Sequence, residues 1–107
     1  MEITHETIDD KLVVRPAGRI DSLTSPAFEA ALLPLVDKSS LVVIDCSGLT
    51  YVSSAGLRVF LSAAKAAKSK GGKIVLCSLT QGVQEVFTVS GFSKIIDMHP
   101  TLDAALA

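Results

Sequence analysis

The sequence predicts an α/β domain in which one mixed sheet of four to five strands carries about four packed helices. Three observations predict it. Two short apolar runs rich in β-branched residues, Leu41 to Cys46 and Lys73 to Cys77, flank a stretch of helical period from Ser54 to Lys70. The opening residues alternate in polarity, as the arms of a hairpin do. Further helical patterns begin at Thr24, Thr80 and Thr101, each a residue type that caps helices.

Ile3, His5 and Thr7 alternate with Glu2, Thr4 and Glu6, which suggests a half-exposed strand. Asp9-Asp10 supplies a turn, and Lys11 to Ala17 returns as a second strand. Pro16 cannot donate to a ladder and therefore marks an edge or the strand's end. Gly18 to Leu23 reads as a loop. Thr24 or Ser25 then caps a helix with Pro26 in its first position, where a missing N–H does no harm. Phe28, Leu32, Leu35 and Val36 share one face, and Pro34 is expected to bend or weaken the helix.

Leu41 to Cys46, the helix from Ser54 and Lys73 to Cys77 together read as a strand–helix–strand unit with parallel strands. Leu57, Phe60, Leu61 and Ala64 form the expected apolar stripe of the helix, and Gly71-Gly72 ends it. The next helix places Val83, Val86, Phe87 and Ser90 on one side, with Gly91 at its end. Ile95-Ile96 is expected to be a last short strand. A closing helix follows Pro100-Thr101 and turns Leu102, Ala105 and Leu106 inward.

The chain has 107 residues, the size of one domain, and no stretch apolar enough to cross a membrane. Glu2, Glu6, Asp9 and Asp10 crowd the N-terminus without a basic stretch ahead of an apolar one, which argues against a secretory signal. A net charge of −1 argues against nucleic acid as a partner. Arg58, Lys65, Lys68, Lys70 and Lys73 do cluster, mostly towards the end of a helix, where a solvated basic face is the ordinary arrangement. Cys46 and Cys77 have neither zinc-site nor CxxC spacing and read as reduced core cysteines of a cytoplasmic protein.

Catalytic chemistry is thin. Ser53-Ser54-Ala55-Gly56 is not the elbow of a hydrolase, and only His5 and His99 are available as an imidazole base. No phosphate-cradling glycine loop, dinucleotide fingerprint or metal-ligand spacing occurs, so neither a cofactor nor a metal is expected. The chain reads as a non-enzyme.

The turn between Cys46 and the helix opening near Ser54 leaves the carboxyl end of a strand, where open α/β sheets place ligands. Ser53 or Ser54 is the N-cap there, and a serine at a helix start needs no function beyond capping. The same place also suits a switch. Phosphorylation adds about −1.5 to −2 of charge, which the unpaired N–H groups and positive end of the helix accommodate. A partner covering that spot would meet a bulky dianion. Gly56 either lets a partner approach the first turn closely or helps the helix pack on the sheet.

The run Val42-Val43-Ile44-Asp45-Cys46-Ser47-Gly48-Leu49-Thr50-Tyr51-Val52-Ser53-Ser54-Ala55-Gly56-Leu57-Arg58-Val59 resembles the central motif of the STAS domain, a family named for sulfate transporters and anti-sigma factor antagonists. Gly18-Arg19-Ile20-Asp21 resembles the family's loop before the first helix and Gly71-Gly72-Lys73 its Gly-Gly turn. Val86-Phe87 through Ser90-Gly91-Phe92 resembles its third helix. The resemblance covers residues 1–107 as a single domain.

It implies a partner switch. In the family, the unphosphorylated antagonist binds an anti-sigma factor that is also a GHKL-type serine kinase, which frees the sigma factor. The kinase phosphorylates the antagonist, which lets go, and a PP2C-type phosphatase resets it. The motif position implies Ser54 as phosphoacceptor, with Asp21, Ser22, Ser53, Ala55, Gly56 and Arg58 around it on the partner-binding surface. Ser53 stands where well-known members carry Asp, and Ala55 where Ser or Thr is common. The first exchange removes a negative charge beside the acceptor and leaves Ser53 as a minor alternative site. The expected state is a monomer or weak dimer. The family also includes subunits and scaffold modules of transport and signalling complexes, which is the alternative reading.

Overall fold

The computed structural model describes residues 1–107. Strands β1 (Glu2–Ile8) and β2 (Lys11–Ile20) pair antiparallel across Asp9-Asp10. Both aspartates have positive φ, 51° and 67°, the combination that lets a two-residue turn follow the twist of its strands. Next come α1 (Ser25–Val36), β3 (Leu41–Asp45), β4 (Gly48–Val52), α2 (Ser54–Ser69), β5 (Lys73–Cys77) and α3 (Gln81–Val89). A 3₁₀ turn at Phe92–Lys94 leads to β6 (Asp97–His99), and α4 (Leu102–Leu106) closes the chain.

The sheet has six strands, not four to five. Its order is β1-β2-β3-β5-β6, parallel from β2 onwards, with β4 also paired parallel to β2. One side of β2 is thus shared. Leu12 to Val14 face β3, and Ala17 to Ile20 face β4.

That division corrects two expectations. Gly18 to Ile20 is strand and not loop, because β4 supplies a partner for it; the register shifts between Gly18 and Arg19, where Gly18 has φ 100°. Pro16 lies in an interior strand, at the gap between the residues paired with β3 and those paired with β4. Its missing N–H therefore falls where the ladder is already broken. The last strand is Asp97–His99 instead of Ile95-Ile96: Ile96 is buried beneath the 3₁₀ turn, while Ile95 is exposed. α1 runs two residues past Pro34 before it ends.

The main core lies between one face of the sheet and helices α1, α2 and α3. Leu12, Val14, Val42, Ile44 and Leu76 supply the sheet side. Phe28 of α1 packs on Phe60 of α2 with ring centroids 5.3 Å apart, and Phe60 meets Phe87 of α3 edge-on at 5.1 Å. Phe87 in turn meets Phe92 at 6.1 Å, so one chain of rings ties three helices and the 3₁₀ turn together. Each such pair adds about 0.5–1.5 kcal/mol beyond the area it buries. The stripe of α2 is rotated from the expected one. Gly56, Leu57, Val59, Phe60, Ala63 and Ala67 are buried, and Leu61 and Ala64 lie at its margin. Ser90 is exposed and not on the inner side of α3.

On the other face Val13, Val43, Val75 and Cys77 pack beneath Ala105 of α4. Cys46 and Cys77 are free and buried. Burial pushes the Cys46 thiol far above its ordinary range, which keeps it protonated. At the end of β3 the Asp45 carboxylate accepts from the Ser47 N–H at 3.1 Å and from Arg15 Nε at 3.3 Å. Arg15 also bonds Glu6 of β1. This fixes the bend from β3 into β4, and with it the approach to α2.

Candidate functional site

Two helices begin side by side at the carboxyl ends of β2 and β4. Arg19 pairs with Tyr51 and Ile20 with Val52 across these strands. The Ser53 N–H then donates to the Ile20 carbonyl at 2.8 Å, which holds the start of α2 against the end of β2. Asp21, Ser22, Ser53 and Ser54 are thereby gathered at one end of the sheet.

The two serines separate. Ser53 is the N-cap of α2, in extended conformation, and its hydroxyl accepts from the Gly56 N–H at 3.3 Å. Ser54 is the first helical residue; it is exposed, and its hydroxyl has no partner within the chain. First-turn N–H groups lack helical acceptors, so the Ser54 hydroxyl sits at the positive end of a 16-residue helix. Arg58 is exposed one turn further along, on the same face by the four-residue spacing. Ala55 is half-buried between them.

Gly56 faces inward. A Cβ there would lie 2.7 Å from Ile20 Cγ2, 3.0 Å from Val52 Cγ1 and 3.1 Å from the Ile20 carbonyl oxygen. Between the two readings that the sequence left open, the structure gives close packing of α2 on the sheet.

Thr24 is the N-cap of α1, one of the two positions that the sequence suggested, but its side chain makes no capping bond there; the turn ahead of it is capped by Asp21. Its Oδ1 accepts from the N–H groups of Leu23 at 3.0 Å and Thr24 at 3.1 Å, while Thr24 Oγ1 accepts from the Asp21 N–H at 2.9 Å. This is a reciprocal capping box one turn ahead of α1, continued by the Ser25 N–H donating to the Asp21 carbonyl. The N–H of Thr24, then that of Leu23, together with the charge of Arg19, hold the carboxyl below the usual range. Arg19 lies 3.8 Å from Asp21 Oδ2 and stacks its guanidinium 4.4 Å from the Tyr51 ring centroid. Ser22 is exposed, and Leu23 beside it is 87% exposed.

Sequence reasoning missed the second wall of the site. A groove of about 450 Å³ runs from Ser54 and Leu57 of α2 to Gly82, Glu85, Val86 and Val89 of α3. Val89 is 88% exposed on its rim, and Glu85 is the one charged side chain lining it. Gly82 is unusual: a Cβ there would meet nothing within 4 Å, yet glycine in a helix costs about 0.8–1.0 kcal/mol relative to alanine. No contact within the chain accounts for it. A bare surface beside Ser54 is what the glycine leaves. The hydrophobic spacing of the third helix was readable in the sequence, but its approach to Ser54 arises only in the tertiary fold.

Residues 2–105 match the family described as the STAS domain. The chain belongs to this family. It is 41% identical, over all of its own length and 93% of the relative's, to BtrV of Bordetella bronchiseptica, described as a candidate anti-sigma factor antagonist. The crystal structure of an anti-sigma factor antagonist from Mycobacterium paratuberculosis superimposes with a TM-score of 0.90 at 28% identity, covering 98% of this chain and 90% of that one. The Bacillus protein SpoIIAA shares the fold at 18% identity. Its unphosphorylated form, an anti-sigma factor antagonist, gives a TM-score of 0.82 and its phosphorylated form 0.74, each covering 98% of this STAS domain and 93% and 96% of SpoIIAA.

Proposed function

We propose that this STAS domain is an anti-sigma factor antagonist that works in the cytoplasm as a phosphorylation-controlled binding module. The unphosphorylated form engages an anti-sigma factor that is also a GHKL-type serine kinase. Its surface is built from Asp21, Ser22, Ser53, Ser54, Ala55 and Arg58, extended by Arg19 and Tyr51 on one side and the α3 groove on the other. Gly56 contributes by seating α2 on the sheet.

The observation that carries this reading is the division between Ser53 and Ser54. The cap hydroxyl is engaged with the helix, and the next one is exposed at the helix start, on the edge of an apolar groove. Transfer from ATP forms a bond between Ser54 Oγ and the γ-phosphorus, breaks that phosphorus's bond to the bridging oxygen of ADP, and releases the hydroxyl proton. The dianion then occupies a groove whose remaining charge is that of Glu85. A segment that fitted the unphosphorylated groove must leave water-exposed space to a phosphate, and the complex weakens. Hydrolysis by a PP2C-type phosphatase restores the hydroxyl. The names of the relatives support the coarser part of this reading, the role of anti-sigma factor antagonist.

The test is to incubate the protein with its cognate anti-sigma factor and ATP and to map the phosphate by mass spectrometry. Modification of the Ser54 hydroxyl supports the proposal. Modification at Ser53 in its place, or none, overturns the assignment of the acceptor.

A further inference from the structure

Far from Ser54, a second groove of about 450 Å³ opens between the C-terminal half of α2, the start of β5 and the 3₁₀ turn. Its floor is apolar, with Leu61, Ala64, Ile74 and Ile95. Around this floor stand Lys65 and Lys68 of α2, Lys73 of β5 and Lys94 of the 3₁₀ turn. Four of the 10 basic residues of a chain with net charge −1 are thus drawn from three elements to one place.

Three of these four lysines have no ion-pair partner inside the chain. Lys73 meets Asp97 at 3.3 Å, and no ion pair engages Lys65, Lys68 or Lys94. Lys70, their neighbour in sequence, turns away to pair with Asp37 at a different surface. Ile95 is 61% exposed in their midst. The sequence alone shows a basic helix end; the fold adds Lys94 and Lys73 from other elements and puts an apolar floor between them.

We infer that this groove is a docking site for an acidic, amphipathic protein segment, one that sets aliphatic side chains on Leu61, Ala64 and Ile95 and carboxylates against the lysines. Charge complementarity fixes the sign of the occupant, and the apolar floor fixes its amphipathic character. Nucleic acid is a poorer fit, because no aromatic side chain lines the groove for base stacking. No arginine is present for bidentate grip of a phosphate either.

Lys65 and Lys68 lie 11 and 14 residues beyond Ser54 on the same helix, roughly 16–21 Å along its axis at about 1.5 Å per residue. That exceeds the Debye length at physiological salt, about 8 Å. The second site is therefore independent of charge at Ser54, and a partner held there remains bound through a cycle of phosphorylation.

The test uses the full chain, a short synthetic peptide alternating Glu pairs with Leu as probe, and heteronuclear NMR with calorimetry. The expected result is a set of shifts confined to Leu61, Ala64, Ile74, Ile95 and the surrounding lysines. Affinity falls as salt rises, is unchanged in Ser54→Asp, and drops by about tenfold or more in Lys65→Glu/Lys94→Glu. Both lysines are exposed and unpaired, so the double variant keeps its fold, and its circular dichroism checks this. Absence of binding overturns the inference. So do shifts spread over unrelated lysines such as Lys11 and Lys38, or a double variant that binds as wild type does. Phosphatidylglycerol vesicles and a single-stranded oligonucleotide serve as rival probes. Binding of either in place of the peptide, lost in the same double variant, assigns the groove to a membrane or nucleic acid and overturns the protein-segment reading.

Discussion

The Ser53 hydroxyl accepts the Gly56 N–H at 3.3 Å, and this bond assigns different work to Ser53 and to its neighbour Ser54. One hydroxyl stabilises the helix start; the other, on the first helical residue, is exposed. Ser53→Ala is accordingly expected to cost about 1 kcal/mol of stability. Ser54→Ala stays within about 0.5 kcal/mol of wild type and removes the proposed phosphoacceptor. Urea denaturation of the two variants checks this, and a larger loss at Ser54 would contradict the division.

Two glycines near the site have opposite expectations. The Cβ of Gly56→Ala is placed 2.7 Å from Ile20 Cγ2, an overpacking expected to destabilise by about 1–3 kcal/mol. Gly82→Ala meets nothing within 4 Å and is expected to stabilise by roughly 0.5–1 kcal/mol through helix propensity. If the bare surface at Gly82 serves a partner, the same variant binds the anti-sigma factor more weakly while melting at a higher temperature. Thermal melting and titration together read both effects.

Asp21 makes the stability of the first helix sensitive to acid. Its folded carboxyl titrates below the ordinary value of 3.8, through the N–H groups of Thr24 and Leu23 and the charge of Arg19. A depressed carboxyl stabilises the fold fully above the unfolded pKa, and that contribution is lost as pH falls through the folded one. Asp21→Asn keeps an oxygen acceptor but cannot titrate. Wild type is therefore expected to exceed the variant in melting temperature at neutral pH, with the gap closing below pH about 4. A gap that stays constant into acid would refute the assignment.

The groove between α2 and α3 gives a further expectation. Val89 is 88% exposed, so Val89→Ser changes stability by no more than about 0.5 kcal/mol. As a rim contact for the anti-sigma factor it is expected to lose about 1 kcal/mol of binding, roughly fivefold in affinity. Glu85→Lys reverses the single charge of the groove and is expected to weaken binding at low salt more than at high salt. Calorimetric titration at two salt concentrations measures both.

The residues that were legible in the sequence are those whose signal is local. The runs Leu41–Asp45 and Lys73–Cys77 are buried on both faces and read as apolar, β-branched strands. Thr80 and Thr101 cap as their positions predict, accepting from Val83 and Ala104. β4 was hidden because only Leu49 and Val52 are buried in it, and Gly48 opens it as a turn would. Its partner, the extension of β2 through Gly18, carries a register shift that breaks the two-residue period. β6 was hidden because an edge strand needs little apolar content, while Ile95 and Ile96 advertised a strand where a 3₁₀ turn stands. At the site, the capping serines were readable and the division between them was not, since N-cap and first-turn positions differ only in backbone angles. The walls supplied by Arg19, Tyr51 and α3 come from distant segments, and no spacing in the sequence encodes their meeting.

The most direct test of the switch is a calorimetric titration of the cognate anti-sigma factor into wild type, Ser54→Ala and Ser54→Asp, with circular dichroism of each. The account predicts that wild type and Ser54→Ala bind alike, and that Ser54→Asp is folded and binds at least about tenfold more weakly, a difference of about 1.4 kcal/mol. Equal binding by all three proteins would mean that Ser54 is an ordinary first-turn serine and that control of this STAS domain lies elsewhere.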